Sequence, residues 1–342
     1  MKPLLIRHLE GEPVGHLPVW LMRQAGRYLP AYRAIREKHS FWEMVETPDL
    51  VVKVSLLPLE VLNVDACIFF SDILTPPYGM KIPIEMKEAV GPVVTTPFTS
   101  VTDFARFQTF DPKIHTPFVG ESLSRIRKQM PAEKTLYGFA GAPWTVGCYL
   151  VQGRGKTDFE KIRTWHNSDP KAVAEALEYL GKATASYLHY QLDSGADIVQ
   201  MFDTWLGNMS IPFFTTHYLA MINRIADSVR KRGAKFVYFA KGAQEFLPYL
   251  SGVNCDVMGV ENSLDILKVD EQLGGKFSLQ GNLDPLLLLE DEGKIRRETR
   301  LLVDKFKKLK RPGIVNLGHG VLPKTPVENV RAFVEEARAL WV

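Results

Sequence analysis

Residues 168–203 read SDPKAVAEALEYLGKATASYLHYQLDSGADIVQMFD, a helix-length segment followed at once by an apolar strand. Ser168, Asp169 and Pro170 supply an N-cap and a first-turn proline; Val173, Leu177, Leu180, Ala183, Thr184, Tyr187 and Leu188 then fall at helical spacing until Gly195. The same unit recurs over 213–232, closed by Gly233 before the run KFVYFA, and over 292–310, closed by Pro312 and Gly313. Working outward, eight short apolar runs read as strands: Pro18–Met22, Ala66–Phe70, Leu136–Ala140, Ile198–Phe202, Phe236–Ala240, Val257–Val260, Phe277–Gln280 and Ile314–Leu317. Strands that are apolar throughout and alternate with helices imply a parallel sheet covered on both faces. Eight of them predict an α/β chain folded as a (β/α)8 TIM-like barrel; an open doubly wound sheet is the alternative. No Gly-x-Gly-x-x-Gly follows a strand, which weakens the nucleotide-binding form of that alternative.

Thr75–Pro131 reads as an insertion after the second strand, with MKIPIEM and VVTTPF forming a hairpin around Gly91 and Pro92. No linker-like or low-complexity tract divides the chain, so residues 1–342 are expected to form one domain. Hydrophobic residues at 46% and charged residues at 24% are ordinary globular values, excluding disordered and fibrous classes. A net charge of +3 without a dense Lys/Arg run argues against nucleic acid as a partner. Cys67, Cys148 and Cys255 are odd in number and unpaired by spacing, which disfavours a disulfide scaffold or thiolate zinc site and points to a cytoplasmic protein. Arg7, His8 and Glu10 interrupt any signal-peptide core, and no run of 18 apolar residues exists to span a membrane.

Chemistry concentrates where apolar runs end. Residues 18–27, PVWLMRQAGR, lead from a strand into two arginines four residues apart around Gly26. Guanidinium forks bind carboxylates two bonds at a time, and Gly26 permits backbone geometry that a Cβ resists, so the segment reads as an anion-binding corner or as a solvated helix face. Asp72 follows the second run, Tyr149 the third, Asp203 and Thr204 the fourth, and His319 the eighth. At the carboxyl ends of barrel strands these would converge on one site. Taken singly, Asp72 also fits a helix N-cap and His319 a core histidine. QGRGKT at 152–157 lacks the first P-loop glycine, since Leu150 stands there; Arg154 and Lys156 read as a basic loop near the barrel mouth. DKFKKLKR at 304–311 reads as a charged helix end.

Together PVWLMRQAGRYLPAYR, FFSDILTPPYGM, GFAGAPWTVGCYLVQG, QMFDTW and NLGHGV resemble the uroporphyrinogen decarboxylase family, from near Leu17 to near the C-terminus. The resemblance implies cofactor-free removal of four acetate carboxyls from uroporphyrinogen III, giving coproporphyrinogen III on the route to heme, by a homodimer without bound metal. It assigns Arg23, Gln24, Ala25, Gly26, Arg27, Phe41, Asp72, Tyr149, Thr204 and His319 to substrate binding, and Asp72 and Arg23 to catalysis. Asp72 would accept hydrogen bonds from the inward pyrrole N–H groups and face the cation formed when a ring carbon is protonated. Arg23 and Arg27 would hold propionate or acetate groups; the proton would come from Arg23 or from a water relayed by Arg23 or Tyr149. Tyr149, Thr204 and His319 would bind carboxylates, and Phe41 would pack on the ring. The family often has serine where Thr204 stands, a change that keeps the hydroxyl. A methyltransferase branch shares the barrel but binds zinc through His-x-Cys, and none of the eight histidines here has cysteine two positions on. A tetrapyrrole carrier without catalysis is the non-enzymatic alternative.

Overall fold

Apolar runs flanked by helices bury both faces by lying side by side, and the computed structural model, which describes residues 2–87, 90–155 and 157–340, shows them doing so. Nine strands occur among the described residues: β1 (Ala66–Ile68), β2 (Ile84–Lys87), β3 (Gly91–Val94), β4 (Thr135–Gly141), β5 (Ile198–Asp203), β6 (Lys235–Ala240), β7 (Val257–Gly259), β8 (Ser278–Leu283) and β9 (Ile314–Leu317). Seven form a parallel sheet in the order β1-β4-β5-β6-β7-β8-β9. Its register runs through Ala66 opposite Thr135, Tyr137 opposite Ile198, Asp203 opposite Ala240, Val257 opposite Ser278 and Gln280 opposite Ile314.

The first apolar run departs from the eight-strand expectation. Pro18–Met22 forms only an isolated parallel bridge, Val19 with Val315, so the sheet has seven strands. Side chains take the hydrogen bonds that a ladder would have used. The Asp65 carboxylate accepts from the Val19 N–H at 3.0 Å, Gln24 accepts from Leu21 at 3.1 Å, and Asn316 accepts from Met22 at 3.0 Å. The run still touches both sheet edges, because Val315 donates to the Pro18 carbonyl at 2.9 Å and Asp65 donates to the Val19 carbonyl at 2.7 Å. A curled sheet with its edges joined this way holds an inner layer of Trp20, Met22, Tyr137, Ile198, Val237, Phe239, Val257 and Ile314, plugged by Leu5. Each such side chain stabilises by about 1.5–3 kcal/mol through burial. A polar chain crosses the interior: Gln280 accepts from the Trp20 indole at 3.0 Å and donates to the Gln200 side-chain oxygen at 3.0 Å, while the Gln200 amide nitrogen has no partner among the described residues.

Helices cover the outside. Helix Pro170–Asp193 begins where the Asp169 side chain accepts from Ala172 at 3.0 Å, placing the cap on Asp169 rather than Ser168. Its buried positions Val173, Leu177, Leu180, Tyr187 and Leu188 are those of the helical spacing. In the Thr75–Pro131 interval, β2 and β3 pair antiparallel from Ile84 opposite Val94 to Lys87 opposite Gly91; residues 88 and 89 lie outside the described residues. The interval also contains helix Pro117–Gln129, which packs on helix Pro48–Leu62 beside the sheet and belongs to the barrel's own cover. The hairpin is tied to the loop after helix Pro143–Gln152: Val93 bridges Arg154, and Val94 donates to the Gly153 carbonyl at 2.7 Å. Lys156 of that loop lies outside the described residues.

Candidate active site

At the carboxyl end of the sheet the inner layer turns aromatic. Phe69, Phe139, Phe202 and Phe239 touch in succession, with ring centroids 5.1, 5.8 and 5.9 Å apart. Phe202 is half-buried, so this chain of edges forms a floor open on one side. A second aromatic group, Tyr32, Phe41 and Phe70, stands beside it; Phe41 is half-buried and meets Phe70 at 5.4 Å. Large planar apolar surface is what such rings accommodate.

Asp72 emerges just beyond β1. Its Oδ1 accepts from the Leu74 N–H at 2.8 Å, a local turn; the following helix Thr75–Gly79 has Leu74 at its N-cap with no side-chain bond, so Asp72 is not the helix cap. No described residue donates to the other carboxylate oxygen. Burial pushes the Asp72 carboxyl above the ordinary range, opposed by the Leu74 N–H and the Arg23 charge. Sequence alone left that sign open, because burial and a nearby arginine act in opposite directions.

Arg23 itself occupies the left-handed region at φ 61°, the conformation expected instead around Gly26. Gly26 is needed for a different reason: a Cβ there would stand 3.0 Å from the Arg23 carbonyl oxygen. Gln24 is buried in the wall, its amide accepting from Leu21 and donating to the Ala66 carbonyl at 2.9 Å, while Tyr28 donates to its carbonyl at 2.7 Å. These bonds hold the turn and leave no part of the Gln24 side chain facing solvent. Ala25 packs half-buried on the core. The Arg23 and Arg27 side chains are exposed, and neither pairs with a carboxylate among the described residues. Arg23 lies in the field of Asp72, Tyr149 and His319, whereas Arg27 acts on Tyr32, beside the Phe41 and Phe70 group.

His319 follows β9, half-buried, with its Nδ1 accepting from the Gly320 N–H at 2.7 Å. Burial, then the charges of Arg23 and Lys241, hold its pKa down at about 4. The neutral ring therefore carries its hydrogen on Nε2 and presents one donor. A Cβ on Gly320 would meet Cδ and Cγ of Arg23, so any side chain there would push the exposed Arg23 side chain out of its place. Tyr149, on helix Pro143–Gln152, is pushed up to about 12 by burial and the Asp72 charge, so its phenol stays protonated.

Thr204 follows β5 and is half-buried between Asp203 and Trp205. Its neighbour Asp203 is a buried hub. Thr145 donates to one oxygen at 2.7 Å; Tyr218 and Tyr238 donate to the other at 2.9 and 2.8 Å. Burial nevertheless raises Asp203 to about 6, because removing water outweighs three hydroxyl donors. Asp203 thus holds the end of β5 from behind. Arg23 is the shared neighbour of this group: its charge acts on Asp72, Tyr149 and His319, and the Asp72 charge acts on Tyr149. Lys241, after β6, acts on His319 and is absent from the sequence-derived set, although it stands at the end of KFVYFA as the other site residues stand at the ends of their runs.

The cysteines stay out of this arrangement: all three are buried, and burial pushes the Cys67 thiol up to about 12. No helix among the described residues is long and apolar enough to cross a membrane.

Comparison with known proteins bears on this geometry at full length. The family described as Uroporphyrinogen decarboxylase (URO-D) matches residues 1–340. A uroporphyrinogen decarboxylase of Pelobacter propionicus is 38% identical over 95% of both chains, and one of Gloeobacter violaceus is 37% identical over 98% of this chain and 97% of its own. Among solved structures, a methyltransferase from Methanosarcina mazei superposes with a TM-score of 0.81 at 21% identity, covering 100% of both chains, a likeness of fold.

Proposed function

This chain belongs to the uroporphyrinogen decarboxylase family and is a carboxy-lyase of porphyrin biosynthesis acting on uroporphyrinogen; from that premise we propose how its own residues carry the reaction. The observation that carries the reading is the half-engaged Asp72 carboxylate above an aromatic floor, with Arg23 and Tyr149 beside it. The macrocycle lies over the floor with its pyrrole N–H groups directed at the Asp72 oxygen that no described residue engages. Phe41 packs along its edge. Arg23, Arg27, Thr204 and the Nε2–H of His319 hold acetate and propionate groups, and the turn Gln24, Ala25 and Gly26 fixes where Arg23 points.

Each decarboxylation needs an electron sink, and the ring supplies one when its α-carbon is protonated. The bond from the acetate methylene to its carboxylate then breaks, carbon dioxide leaves, and the electron pair moves into the cationic ring. Protonation of the exocyclic methylene completes the methyl group, and loss of the proton first added to the α-carbon restores the aromatic pyrrole, so each carboxylate replaced consumes one proton overall. A carboxylate beneath the ring stabilises the cation without moving, and its partial dehydration strengthens that field. Arg23 is a poor acid. With Tyr149 held at about 12, the reading favours a water held by Arg23 and Tyr149 as the proton source. No step requires a cofactor.

We read residues 1–342 as one domain, a (β/α)8-like barrel in which the Pro18–Met22 run takes the place of an eighth strand between the edges of the seven-stranded sheet, with the β2–β3 hairpin as an insertion after β1. A cytoplasmic homodimer follows the family. Anaerobic incubation with uroporphyrinogen, then oxidation and porphyrin separation, tests the reaction: coproporphyrin should accumulate through hepta-, hexa- and pentacarboxylate intermediates, with or without chelator. A carrier would return the octacarboxylate.

A further inference from the structure

We propose that Lys241 is a substrate-binding residue, its ammonium holding a carboxylate of the macrocycle on the side shared with His319. The inference rests on the functional reading above and extends it to a residue outside the family-derived set. Position comes first. Val237 and Phe239 of β6 lie in the inner layer of the barrel, and Lys241 stands two residues beyond Phe239, at the open end. Its backbone is pinned on both sides. The N–H donates to the Asp203 carbonyl at 3.1 Å, and the carbonyl accepts from Gly207 at 3.1 Å. Gly242 packs against Gly207 so tightly that a Cβ on Gly242 would stand 2.8 Å from the Gly207 Cα. The loop is therefore held in place, and the lysine starts from a fixed point beside Thr204.

Charge comes second. Lys241 is half-buried, yet no described residue gives it a hydrogen bond or a carboxylate. The other half-buried amines behave differently: Lys134 pairs with Asp65 at 3.2 Å, Lys294 with Glu290 at 3.1 Å and Lys305 with Asp265 at 2.7 Å. The acids near the ends of β5 and β7 are already committed. Glu261 accepts from the Ala243 N–H at 2.9 Å, and Asp203 is surrounded by hydroxyls. Partial burial without a partner destabilises a cation, and an anionic ligand relieves it. Lys241 and Arg23 both act on the His319 ring, which brings two cations and one neutral donor together at this end of the sheet. A substrate with eight carboxylates supplies what they lack.

Steady-state kinetics on Lys241→Met, Lys241→Gln and Lys241→Arg test this, with circular dichroism and thermal melting as controls for folding. Both neutral variants should raise KM for uroporphyrinogen roughly ten- to a hundredfold, the span of a hydrogen bond to a charged group, with kcat within about threefold. Lys241→Arg should recover most of the lost affinity. KM within twofold of the native value in a folded neutral variant overturns the role, as does loss of folding in both neutral variants, which would make Lys241 structural. Failure of the unaltered protein to convert uroporphyrinogen overturns the functional reading itself, and the two failures are told apart by that control.

Discussion

Replacing Asp72 by asparagine isolates the negative charge from everything else the residue does. Oδ1 of Asp72 accepts from Leu74 at 2.8 Å, and an asparagine carbonyl can keep that bond, so the turn before helix Thr75–Gly79 should persist. The substituted nitrogen then takes the place of the oxygen that no described residue engages and turns donors toward the pyrrole N–H groups. A unit charge about 4 Å from the developing cation is worth about 4 kcal/mol at an effective dielectric constant of ~20. Loss of comparable fixed electrostatic groups lowers kcat by about 10²–10³-fold. The expected result is a kcat lowered by that factor, with a melting temperature close to the native one. Asp72→Glu keeps the charge but moves it one methylene toward the ring, so it should retain more turnover than asparagine. The assay is anaerobic conversion of uroporphyrinogen followed by separation of the oxidised porphyrins. A folded Asp72→Asn protein with kcat within threefold of native would show that the carboxylate only shapes the turn.

Arg27→Lys keeps a charge on an exposed, unpaired side chain but loses the planar fork; KM should rise several-fold with stability unchanged, and unaltered kinetics would return Arg27 to the solvated surface. Gly320→Ala drives a Cβ into Cδ and Cγ of Arg23, so it should raise KM as Arg23→Ala does, and the double variant should be no worse than Arg23→Ala alone; additive losses would mean that Gly320 acts elsewhere. Asp203 is raised from 3.8 to about 6, so the folded state binds its proton more tightly than the unfolded chain does. Its contribution is therefore fully present below about pH 4 and declines by about 3 kcal/mol as pH rises to about 6. Denaturant titrations between pH 4 and 7 should show that decline diminished in Asp203→Asn, and parallel profiles for the two proteins would refute the assignment.

Seven of the eight apolar runs were legible because burial on both faces imposes continuous hydrophobicity, and the helix over Pro170–Asp193 because its stripe and its proline start are local signals. Arg23, Asp72, Tyr149 and His319 were likewise visible, as polar residues placed where those runs stop. Lys241 was passed over because a lysine after a strand looks like solvated surface until the neighbouring acids are seen to be committed.

What sequence could not reach depends on partners distant along the chain. The first run looked like a strand, but Asp65 and Asn316 compete for its N–H groups, from 46 and 294 residues away. Helix Pro117–Gln129 was absorbed into an insertion because only its packing on Pro48–Leu62 identifies it as barrel cover. The left-handed turn belongs to Arg23 rather than to Gly26, since Gln24 is pulled inward by Ala66 and the turn must close around it. The direction of the Asp72 shift likewise required the folded surroundings. Hydrophobic pattern and local caps act over a few residues and are written in the chain, whereas hydrogen-bond competition and dehydration are set by what the fold brings alongside.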